Sequence, residues 1–162
     1  MIENKEKIGV LFVCMGNICR SPTAEGVFRK LVSDAGLDDR IYTDSAGTHA
    51  YHSGEPPDHR AIAAAERRGF SLEDISARRV TDADFEDFNY ILAMDEDNML
   101  ALRESSKAEH HSKVRLLLEF SEFAPETEVP DPYYGGPAGF ERVLDLVEVA
   151  SRALLETIRK EL

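Results

Sequence analysis

Two side chains of one short loop carry the reactive chemistry of this sequence. Cys14 and Arg20, separated by five residues, lie in Cys14-Met15-Gly16-Asn17-Ile18-Cys19-Arg20-Ser21-Pro22. A thiolate is a strong nucleophile, and a guanidinium is a planar fork that grips two oxygens of an oxyanion. The backbone N–H groups between them can curl around an anion, and the positive end of the following helix points at the same spot. Such surroundings favour thiolate over thiol. The chemistry to expect is attack by Cys14 on an anion of phosphate size. A free cysteine is often only a packed core thiol. The loop context, with a strand ending on the cysteine and a helix starting after the arginine, argues for the reactive role.

The elements that must position this loop follow from patterning. Ile8 to Val13 is almost continuously apolar, as a strand covered on both faces must be. Ser21 is a suitable N-cap and Pro22 suits the first helical position. Ala24, Val27, Phe28, Leu31 and Ala35 then follow helical spacing, with Gly36 to close the helix. Ile41 to Ser45 reads as a second strand, and Tyr51 to Pro57 as a loop. Asp58 caps a helix carrying Ala61, Ile62 and Ala65, which Gly69 and Phe70 end. Thr81 and Asp84 form a capping pair for a short helix to about Phe88. Tyr90 to Met94 is a third strand, and Asp95 caps a helix with Met99, Leu100 and Leu102. Val114 to Phe120 reads as a fourth strand. Pro125 to Gly139 is turn-rich, and Phe140, Val143, Leu144, Val147 and Leu154 mark a long amphipathic helix. Strands alternating with helices predict an α/β fold: a parallel sheet with helices on both faces. Ligands in such folds bind beyond the carboxyl ends of the strands, where Cys14 falls.

Composition bounds the function. At 162 residues, 43% hydrophobic and 31% charged, the chain reads as a single globular domain spanning 1–162. A net charge of −12 argues against nucleic acid, which needs a basic face. An anion site must therefore depend on local donors and Arg20 rather than on the overall field. No apolar run approaches the ~20 residues of a membrane span, and no signal-peptide pattern opens the chain. Two cysteines in one loop are not a secreted disulfide framework. The expectation is a cytoplasmic protein with no membrane insertion.

The loop, together with Asp131-Pro132-Tyr133-Tyr134 downstream, closely resembles the low-molecular-weight protein-tyrosine phosphatases. The resemblance runs from Gly9 to the C-terminal helix and takes in Asp44-Ser45-Ala46-Gly47, Pro56-Pro57-Asp58 and Tyr90-Ile91-Leu92-Ala93-Met94-Asp95. It implies a three-layer sandwich with four parallel strands in the order 2-1-3-4. It also implies hydrolysis of phosphotyrosine and aryl phosphates through a phosphocysteine on Cys14, without metal or other cofactor. Arg20 and the loop from Met15 through Gly16, Asn17, Ile18 and Cys19 would hold the phosphoryl oxygens. Asp131 resembles the general acid; an Asp-Pro in a turn is otherwise structural. Ser21 would stabilise the Cys14 thiolate, and Asn17, at positive φ, would brace the loop with Ser45. Many relatives add a histidine to that support network, near where Ile75 stands here. Tyr51 and Tyr133 match positions that flank the active-site mouth, where two aromatic walls would sandwich a phenyl ring, with Met15, at the loop's variable position, and Tyr134 completing the cleft walls.

The implied partners are phosphotyrosine-containing proteins, inorganic phosphate as product and inhibitor, and a partner tyrosine kinase. Cys19, curled back toward Cys14, could form a disulfide with it and protect an oxidised nucleophile. Protein-arginine phosphatases are the nearer rivals, but they carry threonine where Ile18 stands and lack the paired tyrosines. Thioredoxin-coupled arsenate reductases need further cysteines, and none follows Cys19. A silent phosphopeptide-binding module would not need Cys14, Arg20 and Asp131 together. His110 and His111 have no ligand spacing around them and read as solvated. Gly135-Gly136-Pro137-Ala138-Gly139 lacks the lysine and hydroxyl of a nucleotide phosphate loop and reads as a turn.

Overall fold

The structure, a computed structural model, describes residues 7–121, 126–133 and 136–162. Its centre is β1 (Ile8–Cys14), flanked by β2 (Ile41–Gly47) on one side and β3 (Tyr90–Ala93) on the other. β4 (Val114–Leu116) pairs with β3, so four parallel strands run in the order β2-β1-β3-β4, as the resemblance implied. β1 is buried because each of its faces meets a separate apolar layer. Val10 and Phe12 point into the core shared with α1 (Arg20–Asp34), α2 (His59–Arg67) and α5 (Gly136–Arg159). Leu11 and Val13 point the other way, to the core of α3 (Asp82–Asp87) and α4 (Glu96–Glu104). The pleat of a single strand thus supplies both cores. No helix among the described residues is long and apolar enough to cross a membrane.

Three expectations are corrected. Ser21 does not cap α1. The carbonyl of Cys19 already accepts from the Thr23 N–H at 3.3 Å and the Thr23 hydroxyl at 2.7 Å, so the helix begins at Arg20. The fourth strand stops at Leu116, where the Glu119 carboxylate takes the Leu116 N–H and turns Leu117–Phe120 into a 3-10 segment. Leu117, Leu118 and Phe120 are buried, and the segment packs against α5; an apolar run alone does not separate strand from buried helix. His110 is buried and His111 half-buried, rather than both solvated. The 3-10 segment Ala108–Lys113 buries His110 with Nε2 3.1 Å from Glu86, and His111 Nε2 lies 2.8 Å from the Arg103 carbonyl.

The seam between α1 and β2 contains a buried acid. Glu25, on the inner face of α1, is 6% exposed, and its Oε1 accepts from the Ser45 hydroxyl at 2.6 Å. Burial pushes its pKa up from the ordinary 4.5 to about 7, only partly opposed by that hydrogen bond and by Arg29, 3.9 Å away. A carboxyl that holds its proton more tightly when folded stabilises the protein below its unfolded pKa. That contribution is lost as pH rises through the folded value. Glu25→Gln, which keeps the shape and removes the charge, isolates the effect. Wild type should lose roughly 1–3 kcal/mol relative to Glu25→Gln between pH 4.5 and 7, and little more above it. Denaturant melts of both proteins at stepped pH measure this.

Candidate active site

The loop that leaves β1 is shaped by its neighbours before any ligand enters. Past the end of β2, the Thr48 N–H donates to the Cys14 carbonyl at 2.9 Å and the His49 N–H to that of Met15 at 3.1 Å. Gly47 permits the approach: a Cβ there would lie 2.7 Å from the Met15 carbonyl oxygen. Asn17 takes the turn at φ 58°, a conformation that asparagine tolerates. Its Nδ2 donates to Ser21 Oγ at 2.7 Å and Ser45 Oγ at 3.0 Å, and its Oδ1 accepts from the Arg78 N–H at 3.0 Å. Arg78 is itself held by Asp44 of β2 and Asp84 of α3.

Around Cys14 Sγ these contacts converge. The Asn17 N–H donates to it at 3.3 Å, and Ser21 Oγ lies 3.0 Å away. One chain of hydrogen bonds thus leads from the sulfur through Ser21, Asn17 and Ser45 to Glu25. Ile75, near where many relatives carry a histidine, is a buried core residue.

Arg20 is buried, with its side chain 5% exposed. Nη1 donates to Asp95 Oδ2 at 2.6 Å and to the Val129 carbonyl at 3.0 Å. Its Nη2 lies 4.0 Å from Asp131 Oδ2. Asp95 does double duty, because its Oδ1 accepts from the Asn98 N–H and caps α4. The sequence offered Asp95 only as a cap. Its part in holding Arg20 could have been found from the strand order, which sets the end of β3 beside the end of β1.

Cys14, Met15, Gly16, Ile18, Cys19, Arg20, His52, Asp131 and Tyr133 line one cavity of about 200 Å³. Asp131 and Tyr133, far along the chain, therefore meet the loop. The side chain of Asp131 is 45% exposed, and its Oδ1 accepts from the Tyr133 N–H at 3.0 Å. Tyr51 is 71% exposed and stacks on His49, with ring centroids 5.1 Å apart. A turn closed by the Ser53 N–H on the Ala50 carbonyl brings His52 to the cavity, where a Cβ on Gly16 would lie 3.1 Å from its ring. His52 was missed because a histidine in a polar loop carries no signal of its own. Tyr134 lies outside the described residues. Cys19 shares the cavity, and burial, with Asp58 nearby, pushes its pKa up to about 12.

The cavity therefore unites a cysteine, a buried guanidinium and a half-exposed carboxylate at the carboxyl edge of a parallel sheet. Comparison with known proteins agrees with this arrangement. The family model described as low molecular weight phosphotyrosine protein phosphatase matches residues 9–162. The human low molecular weight phosphotyrosine protein phosphatase is 42% identical over 158 residues, covering 96% of this chain and 98% of its own. The crystal structure of YfkJ from Bacillus subtilis superposes with a TM-score of 0.93 at 42% identity, covering 98% of this chain and 99% of that one. The arginine phosphatase of Drosophila is also similar, with a TM-score of 0.85, 32% identity, and coverage of 93% and 97%. The matches span nearly the whole chain, and the chain belongs to the low molecular weight phosphotyrosine protein phosphatase family.

Proposed function

We propose that this protein is a protein-tyrosine phosphatase that hydrolyses phosphotyrosine through a phosphocysteine on Cys14. The observation that carries the reading is the shared cavity of Cys14, Arg20 and Asp131. Cys14 attacks phosphorus in line, and the Ser21 hydroxyl, 3.0 Å from the sulfur, stabilises the thiolate as attacker and as leaving group. Arg20, fixed by Asp95, offers its remaining guanidinium N–H groups to the phosphoryl oxygens alongside the N–H groups of the loop. Asp131 protonates the departing phenolate, then serves as base when water opens the phosphocysteine. Inorganic phosphate, the product, occupies the same donors and inhibits. Residues 1–162 act as one domain. The protein works in the cytoplasm, where a tyrosine kinase supplies its substrates.

Phosphoarginine is the second reading, because the chain is similar to an arginine phosphatase. Ile18 and Tyr133, both on the cavity wall, favour an aryl group over a guanidino group. Turnover of phosphotyrosine, phosphoserine and phosphoarginine peptides decides between the readings. Phosphotyrosine should lead by at least about 100-fold, within the range set by wall contacts and unpaired polar groups. Faster turnover of phosphoarginine would overturn the assignment. Cys14→Ser should abolish turnover while phosphate still binds, and retained activity would remove the nucleophile from the scheme.

The role of Asp131 is tested by leaving groups. Asp131→Asn should slow phenyl phosphate by about 100-fold or more, the usual contribution of general acid catalysis. p-Nitrophenyl phosphate, whose phenolate leaves unaided, should slow far less. Equal losses would make Asp131 structural.

Cys19 gives the protein a redox function in this reading. Peroxide takes Cys14 to a sulfenic acid, and the Cys19 thiol condenses with it, forming a disulfide and releasing water. Because burial keeps Cys19 protonated, the condensation should quicken as pH rises. After peroxide and then dithiothreitol, wild type should regain most of its rate and Cys19→Ser far less. Equal recovery would show that Cys19 protects nothing.

A further inference from the structure

Arg60, on the first turn of α2, has a partner at each of its guanidinium nitrogens. Its Nε and Nη2 fork onto the Asp58 carboxylate at 3.1 and 3.0 Å, and its Nη1 donates to the Tyr133 carbonyl at 3.2 Å. The guanidinium carbon lies 5.2 Å from the centroid of the Tyr133 ring and 4.9 Å from that of Phe140 on α5. A guanidinium in such a place is held by charge and by the faces of both rings. The two ends of this arrangement are the two halves of the cavity. The Asp58 N–H donates to the Ile18 carbonyl of the phosphate loop at 2.8 Å. At the other end the Tyr133 N–H donates to Asp131 Oδ1 at 3.0 Å.

We propose that Arg60 is a positioning residue that ties the Asp131–Tyr133 segment to the phosphate loop, setting both the acid and the aromatic wall. The inference rests on the phosphatase reading above for the meaning of Asp131. The Arg60 guanidinium joins the Tyr133 carbonyl directly to α2. The loop itself keeps its braces through Asn17, Ser21 and Ser45, none of which touches Arg60. Loss of Arg60 should therefore harm what depends on the ring and the acid while sparing what depends on the loop. Arg60→Lys keeps the charge and loses the fork, so it should follow Arg60→Ala rather than rescue it.

Two measurements test this, and the side chain is exposed enough, at 37%, for both variants to fold. In calorimetry, Arg60→Ala should bind benzylphosphonate about 10-fold more weakly and inorganic phosphate within about 2-fold of wild type, since only the former uses the stacked wall. In turnover, the ratio of kcat on phenyl phosphate to kcat on p-nitrophenyl phosphate should fall about 10-fold, a modest part of what a misplaced acid can lose. Phosphate affinity falling as much as benzylphosphonate affinity would overturn the proposal, because Arg60 would then be supporting the loop. Unchanged ligand affinities and an unchanged leaving-group ratio would overturn it equally. Absence of wild-type turnover would instead defeat the phosphatase reading, and the calorimetry would still decide whether Arg60 sets the wall.

Discussion

One buried side-chain amide holds the site together. Asn17 is fully buried at a positive φ, and its two side-chain ends reach a hydroxyl of α1, a hydroxyl of β2 and a backbone N–H of the segment that follows α2. A buried amide left unpaired is expensive, so each of these partners is bound to stay in place. The loop between them must return on itself within five residues and still leave the Cys14 sulfur in reach of Ser21. Backbone preference alone would not keep that shape. The amide converts three separate elements into walls of one cup.

Much of the fold was legible because the apolar pattern and the topology agree. A continuous apolar β1, alternating strands and helices, and Asp, Gly and Thr at helix ends all point to one parallel sheet. The failures are local and have physical causes. Leu117 to Phe120 is apolar enough for a strand, yet a single carboxylate on the Leu116 N–H diverts it. His110 reads as polar but finds Glu86 and a ring to lie against, so burial costs it little. Ser21 has the right chemistry for a cap, but a helix that starts earlier frees its hydroxyl for the sulfur.

At the site, residues adjacent in sequence were easier to read than residues brought together by folding. The loop declares itself through Cys14, Arg20 and Pro22. Asp131 could be selected among 31 acidic residues only by resemblance, since its partners are tertiary. Asp95 was legible as a cap and silent about Arg20. His52 lines the cavity, yet a histidine in a polar loop gave no sign of it.

The grip of Asp95 and the Val129 carbonyl on Arg20 has a consequence for how an anion is received. A long cationic side chain free in water must surrender rotamer entropy when it closes on a ligand. Here that loss is incurred during folding, so an arriving dianion meets a cation already immobilised and aligned. The site is thus built as a template, in which an oxyanion is recognised by rigidity rather than by attraction at a distance. A chain with twelve excess negative charges gains nothing from long-range steering of anions, and short-range order is what it has in exchange.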